Sequence, residues 1–238
     1  GTESNGNQRY DSLQVTLRKR FAYGLEYQLA YTWSHGMSDA IGYYGEGGQA
    51  GSQSAYWQNL FDRKAEWGPT YFDVRHSMVF SYVYDLPFGK GKAFGNAWHP
   101  VLGHLLGNWQ MGGILSLHTG FPLTITGTDR SGTTSRGARA DRVGDGKGER
   151  KVGPGNKWFD TSAFRQPATG TFGNSGVGVV RGPGLKNFSL SIQKYFPLTE
   201  KYRLEFRGEM YNLTNTPIFQ GPVRSVAFGV GPLPVSAR

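Results

Sequence analysis

The 238-residue chain carries 26 Lys and Arg against 17 Asp and Glu, a net charge of +9, yet only 18% of its residues are charged, below the roughly 25% of an ordinary soluble domain. Its 36 Gly are about twice the usual share, and it has no Cys, which excludes a disulfide framework, a thiolate zinc site and a cysteine nucleophile. The chain has no Gly-X-Y period, which excludes collagen, and no apolar run nears the roughly 20 residues of a spanning helix, so the 14% aromatic content points to β-structure with long glycine-rich loops.

Residues 1–9 are polar and read as a frayed lead-in. From Tyr10 the period is two, with Leu13, Val15 and Leu17 on one side and Ser12, Gln14, Thr16 and Arg18 on the other, the signature of a strand. After the connection Phe21–Gly24, a second run sets Leu25, Tyr27, Leu29, Tyr31 and Trp33 against Glu26, Gln28, Ala30, Thr32 and Ser34. The two make a hairpin. Residues 36–71 form a Gly-, Ser- and aromatic-rich loop too long for a routine connection. A third strand sets Met78, Phe80, Tyr82 and Tyr84 against Ser77, Val79, Ser81, Val83 and Asp85.

A medium segment from Pro87, containing Trp98, His99 and Pro100, leads to the fourth strand. There Trp109, Met111, Gly113, Leu115 and Leu117 oppose Gln110, Gly112, Ile114, Ser116 and His118. The strand is expected to continue to about Thr126, with a bulge or a break in pairing at Pro122. A second long loop covers residues 127–184. Strand five sets Phe188, Leu190 and Ile192 against Ser189, Ser191 and Gln193, and strand six sets Leu204, Phe206, Gly208 and Met210 against Arg203, Glu205, Arg207 and Glu209. Residues 215–238 read as a third long loop.

The positive charge raises the question of nucleic acid. Its densest basic stretch, Arg130–Lys157, has eight Lys and Arg but also Asp141, Asp145 and Glu149, directly after Asp129, with no aromatic residue between Phe121 and Trp158. A solvated loop is the better reading, and no nucleic-acid partner is expected.

Alternation by itself suits a soluble sandwich equally well. Three features favour a barrel in a membrane. The apolar set holds 24 positions over six strands, 22 of them apolar or aromatic and two Gly, without a charge. The opposite face is rich in Ser, Thr and Gln, as a polar lumen is. Connections run short, long, medium, long, short, long, the asymmetry of tight periplasmic turns and large extracellular loops, and strands of about 10 residues span roughly 25 Å when tilted. The expected fold is all-β, with antiparallel up-and-down strands forming part of a transmembrane β-barrel. Six strands are too few to close one with a filled lumen, so residues 1–238 are expected to be a partial barrel.

Motifs follow in the same order. Tyr10-Asp-Ser-Leu-Gln-Val-Thr-Leu-Arg-Lys-Arg-Phe21, Tyr31-Thr-Trp-Ser34, Phe72-Asp-Val-Arg-His76, Leu86-Pro-Phe-Gly-Lys-Gly-Lys92 and Gly107-Asn-Trp-Gln110 are joined by Gly120-Phe-Pro122 and Trp158-Phe-Asp-Thr-Ser-Ala-Phe164. Then come Gly170-Thr-Phe-Gly-Asn174, Arg181-Gly-Pro-Gly184 and Phe206-Arg-Gly-Glu-Met-Tyr-Asn-Leu-Thr-Asn215. The succession closely resembles the C-terminal barrel of Oar-like TonB-dependent receptors. That resemblance implies a 22-stranded barrel in the outer membrane of a Gram-negative bacterium. It also implies a plug domain in the lumen, a TonB box for the energy-coupling protein, and energised uptake of a small ligand such as a sugar, peptide or siderophore. The plug, the TonB box and the family's final strand, expected just after Arg238, lie outside these residues.

Candidate lumen-facing residues are Gln14, Arg18, Glu26, Gln28, Gln110 and His118, with the row Arg203, Glu205, Arg207 and Glu209. Alternating signs in that row favour ion pairing over paired-carboxylate catalysis. Tyr43, Tyr44, Tyr56 and Trp57 are the candidate ligand contacts of the first long loop. His99 and His104 lack an evident third metal ligand, Asp145-Gly146 lacks the Asp spacing of a calcium loop, and no nucleophile-elbow, zincin or phosphate-loop motif occurs. Neither enzymatic activity nor a cofactor is expected. The competing readings are a soluble β-sandwich binding carbohydrate and a small stand-alone porin.

Overall fold

A computed structural model describes residues 6–40, 57–135, 137–153, 156–197, 201–219 and 221–225. Six long strands dominate it: β1 (Gln8–Ala22), β2 (Leu25–Ser38), β3 (His76–Asp85), β4 (Trp109–His118), β5 (Leu185–Pro197) and β6 (Arg203–Met210). Each pairs antiparallel with its sequence neighbour, so the order is β1-β2-β3-β4-β5-β6, an up-and-down meander in one sheet. A sandwich would divide such strands between two packed layers. Among the described residues the sheet is not closed, and β1 and β6 are its edges.

Register carries the alternation across the whole sheet. Tyr27 stands opposite Tyr82, Tyr82 opposite Gly113, Gly113 opposite Leu190 and Leu190 opposite Met210. One residue along, Glu26 is followed by Val83, Gly112, Ser191 and Glu209. A slip by one position would exchange the two faces, which is why a pattern this regular specifies its pairing. Gly113 has a packing reason: a Cβ there would lie 2.4 Å from Cε1 of Tyr82, whose ring covers the glycine. Aromatic cover over a strand glycine restores the surface that the missing side chain would leave open.

The apolar face is half exposed, with Leu13, Val15, Leu17, Leu204 and Phe206 lacking protein cover. Observed strands are longer than the apolar pattern, and their ends bring charge to this face. Lys19 opposite Tyr27, Lys186 opposite Leu117 and Lys194 opposite Trp109 flank the band, as does the Arg9–Asp11 ion pair at 2.9 Å. The uncharged face is thus a central band with charged margins, where long side chains can reach polar surroundings.

Three expectations change. Gln8 and Arg9 belong to β1 instead of a frayed lead-in, and Asn7 beyond them is tied to Asp39 by its N–H at 2.7 Å. The hairpin turn is only Tyr23–Gly24, with φ of +56° and +78°, the pair of positive values that a type I′ turn requires. β4 stops at His118. Gly120 packs so closely against Gly182 that a Cβ would meet its carbonyl, and Pro122–Leu123 pairs with Val180–Arg181 as a separate ladder. The medium connection, residues 86–108, contains helix α1 (Pro100–Leu106).

With β4 ending at His118 the second long loop begins at residue 119, and it holds the buried apolar cluster of the described residues: Leu123, Ile125, Ala140, Phe159, Ala163, Phe164 and Val180. The stretch Arg130–Lys157 is therefore not simply a solvated loop, because Arg139 and Ala140 from it are buried.

Candidate functional site

Two regions stand out: the polar strand face, and a cap built from the long loops at the loop end of the sheet. Register places every predicted wall residue on the polar face: Gln14 and Arg18 from β1, Glu26 and Gln28 from β2, Gln110 and His118 from β4, and Arg203, Glu205, Arg207 and Glu209 from β6. Glu26, Gln28, Arg207 and Glu209 line a groove of about 600 Å³ with Ser81, Ser189 and Ser191, so the polar face has a concavity. Arg18 bonds Glu26 at 3.3 Å on the neighbouring strand.

The expected pairing of the β6 row holds for half of it. Arg207 bonds Glu209 at 2.6 Å, and Glu209 also accepts from Tyr211 at 2.5 Å. Arg203 instead lies 4.8 Å over the ring of Tyr195, a cation–π contact. At the turn end, Gln110 donates to Asp85 at 2.7 Å, accepts from Gln193, and shares Asp85 with Lys92 at 3.1 Å. His118 leaves the groove. Its Nδ1 donates to the Thr119 carbonyl at 2.9 Å, and its ring meets Phe121 in a second cavity of about 550 Å³ with Leu185 and Ile218.

The cap is tied together by side chains that sequence patterns did not single out. Glu66 and Arg139 form an ion pair at 2.6 Å, both side chains almost wholly buried. Arg139 also donates to the carbonyls of Ser175 at 2.7 Å and Ala65 at 3.1 Å. Gln58 completes the junction: its amide donates to Gly173 at 2.8 Å while its oxygen accepts from the Arg139 N–H at 2.8 Å. Burial of a charge is tolerated when its hydrogen-bonding capacity is met in this way.

Asp73 organises a second junction. Its fully buried carboxylate accepts from Arg181 and from the Gly36 N–H at 2.8 Å, with Arg75 at 3.9 Å and His35 at 3.6 Å. Burial pushes the Asp73 carboxyl up, but hydrogen bonds from Arg181 and Gly36, with the charges of Arg181 and Arg75, outweigh it and hold it below the ordinary carboxylate range. Asp39 behaves alike: burial raises it, and Asn7 and Arg63 more than compensate. Near the far end of the chain, Thr126 bonds the Arg224 carbonyl at 3.1 Å and bridges to Ser225. Burial lowers the Arg224 guanidinium to about 10.

Of the predicted loop contacts, Tyr43, Tyr44 and Tyr56 lie outside the described residues. Trp57 is engaged within the cap: its indole N–H donates to the Asp39 carbonyl at 2.6 Å, and Arg63 stands 5.2 Å over its ring. Asp73 and Arg181 had a legible signal, since each sits in one of the motifs that carry the family resemblance, Phe72–His76 and Arg181–Gly184. Glu66, Gln58 and Arg139 had none.

The arrangement is a wall with a polar concave side, an apolar bare side and a cross-braced cap at one end. Consistent with it, residues 1–232 match the family model described as outer membrane beta barrel domain. No curated protein and no solved structure matches the chain. The chain belongs to that outer membrane beta-barrel family and is an outer-membrane protein of a Gram-negative bacterium.

Proposed function

We propose that this outer-membrane barrel chain is the C-terminal wall of an Oar-like TonB-dependent receptor, serving energised uptake of a small ligand and not catalysis. The observation that carries the reading is the contrast of its two faces: Arg18, Glu26, Arg203, Glu205, Arg207 and Glu209 share the polar side, the charges of the apolar side stand only at its margins, and the loops at one end are cross-braced by buried ion pairs. A receptor needs a polar passage and a preorganised mouth. The meeting of Asp73 with Arg181 supports the resemblance, because it joins two of its motifs.

The open edges support a larger assembly. Unpaired backbone groups along β1 and β6 are costly in hydrocarbon, where only closed barrels or helices satisfy them. Further strands therefore complete the wall, and the polar groove is the surface a plug domain would cover. In this reading the loop end is extracellular and the turn end periplasmic, and the partners are outer-membrane lipid, the plug and the TonB energy-coupling protein.

The test is the complete reading frame. A plug domain with a TonB box ahead of this wall, and binding of purified TonB C-terminal domain to the complete protein, are the expected results. A closed barrel without a plug that conducts ions steadily in a planar bilayer would replace this reading with a porin.

A further inference from the structure

We infer that α1 is an interfacial helix: it lies against the phospholipid leaflet at the turn end of the barrel, held to the outside of the wall by Lys194 and Trp109. The inference rests on the apolar strand face being the lipid face.

The helix is short but fixed. Phe88 and Phe94 bridge its leading segment, with Gly89 N–H donating to Phe94 at 2.8 Å and Asn108 N–H to Phe88 at 2.9 Å. Trp98 stacks on Phe88 at 6.4 Å. Its C-terminal carbonyls meet two side chains of the apolar sheet face that stand opposite each other in the β4–β5 ladder. The Trp109 indole N–H donates to Leu105 at 3.0 Å, and Lys194 Nζ donates to Leu105 at 3.2 Å and Gly107 at 2.5 Å. Lys194 is only 2% exposed, and its ammonium also lies 5.3 Å from the Trp109 ring. A cation suits the negative end of a helix, and here that contact removes a charge from the lipid-facing side.

These bonds place α1 on the bare side of the wall and away from the groove. At about 100° per residue, Val101, Leu102, Leu105 and Leu106 occupy one arc of roughly 140°, with Gly103 and His104 opposite. All four apolar side chains are exposed, and Phe94 and Trp98 beside them are exposed too. No protein covers this patch among the described residues. It is continuous with the apolar band of the sheet through Trp109, so the occupant that covers the band covers the helix. An apolar helical face bordered by a charged margin, with Trp at the boundary, is the composition that settles at the headgroup–acyl boundary. Lys90, exposed in the same segment, supplies a cation at the polar side.

The experiment places an environment-sensitive fluorophore at single cysteines in the complete protein, in a background without other reactive cysteines. The variants Leu102→Cys, Leu105→Cys, His104→Cys, Phe206→Cys and Arg207→Cys are reconstituted in vesicles of phosphatidylethanolamine and phosphatidylglycerol, with acyl chains brominated near the headgroup. Quenching at positions 102 and 105 is expected to exceed that at 104 at least twofold. Quenching at 102 and 105 no greater than at 104, with 206 still quenched more than 207, would show the helix to sit in water and overturn the inference alone. If 206 is quenched no more than 207, the assignment of faces fails first, and the inference falls with it.

Discussion

Arg181 reaches Asp73 across 108 positions of the chain, donating to its carboxylate and, at 2.9 Å, to its backbone carbonyl. The same carboxylate accepts the N–H of Gly36 at the end of β2. One acidic side chain thereby joins the start of the first loop, its return to the sheet and the end of the second loop.

Asp73→Asn should loosen that junction. Arg181 would keep its carbonyl acceptors but lose the opposing charge, and Arg75 would remain beside it. Removing one partner of a fully buried pair costs about 3–5 kcal/mol. Arg181 retains partial exposure, so an effect of about 2–3 kcal/mol on cap opening is expected. Hydrogen exchange resolved by segment should show it in residues 119–184, with the β2–β3 ladder unaffected.

Acid should open the cap ahead of the sheet. Asp39 and Asp73 have folded-state pKa values below their ordinary 3.8. Their contribution to stability is thus fully present above the ordinary value and is lost as pH falls through the depressed one. Protease sensitivity of the two long loops at pH 3 compared with pH 7 is the measurement. A cap equally resistant at both values would show that neither carboxylate braces it.

The Glu66–Arg139 pair allows a sharper separation of charge from packing. Glu66→Leu alone strands a buried guanidinium and should destabilise the cap by about 3–5 kcal/mol. Glu66→Leu combined with Arg139→Met should recover most of the loss, since apolar replacements of similar volume often match a buried ion pair. If the double variant is as damaged as the single one, the Arg139 bonds to Ser175 and Ala65 matter more than the pair.

What could be read in advance follows from the range of each interaction. The strands and their faces were legible because period-two alternation is local: from Leu25 to Ser34 each residue states its own side, and register follows once a neighbour alternates too. The cap was not, because Glu66 and Arg139 are 73 positions apart, and neither belongs to a periodic run. Helix α1 lies between. Pro100 at its first turn with Val101, Leu102, Leu105 and Leu106 in i, i+4 relation is a helix signal, hidden by Gly103 and by a length of only seven residues.

Gly113 tests the packing of the apolar face. Gly113→Val must move the Tyr82 ring, since its first added carbon falls 2.4 Å from Cε1. Overpacking of this kind costs about 1–3 kcal/mol. Tyr82→Ala should relieve the clash but leave a gap over the strand, so the two changes should be non-additive in urea unfolding of the vesicle-bound protein.

The most direct test of the faces uses neighbouring residues of β6. Phe206 shares the apolar side with Trp109, its ring edge-on at 5.8 Å. Arg207 stands on the groove side, paired with Glu209. Phe206→Arg puts a charge on the lipid side close to the turn-end margin, opposite Lys194 and against Trp109, and should cost about 1–2 kcal/mol, between the interfacial and midplane values for Arg. Arg207→Leu removes a wall charge that keeps access to water, and leaves Glu209 its bond to Tyr211; its cost should stay below about 1 kcal/mol. Folding equilibria in phospholipid vesicles measure both. A lipid-soluble paramagnetic reagent should likewise reach a spin label at 206 more readily than at 207. The reverse order in either experiment would turn the sheet inside out, because the shared register binds all six strands to the same choice of face.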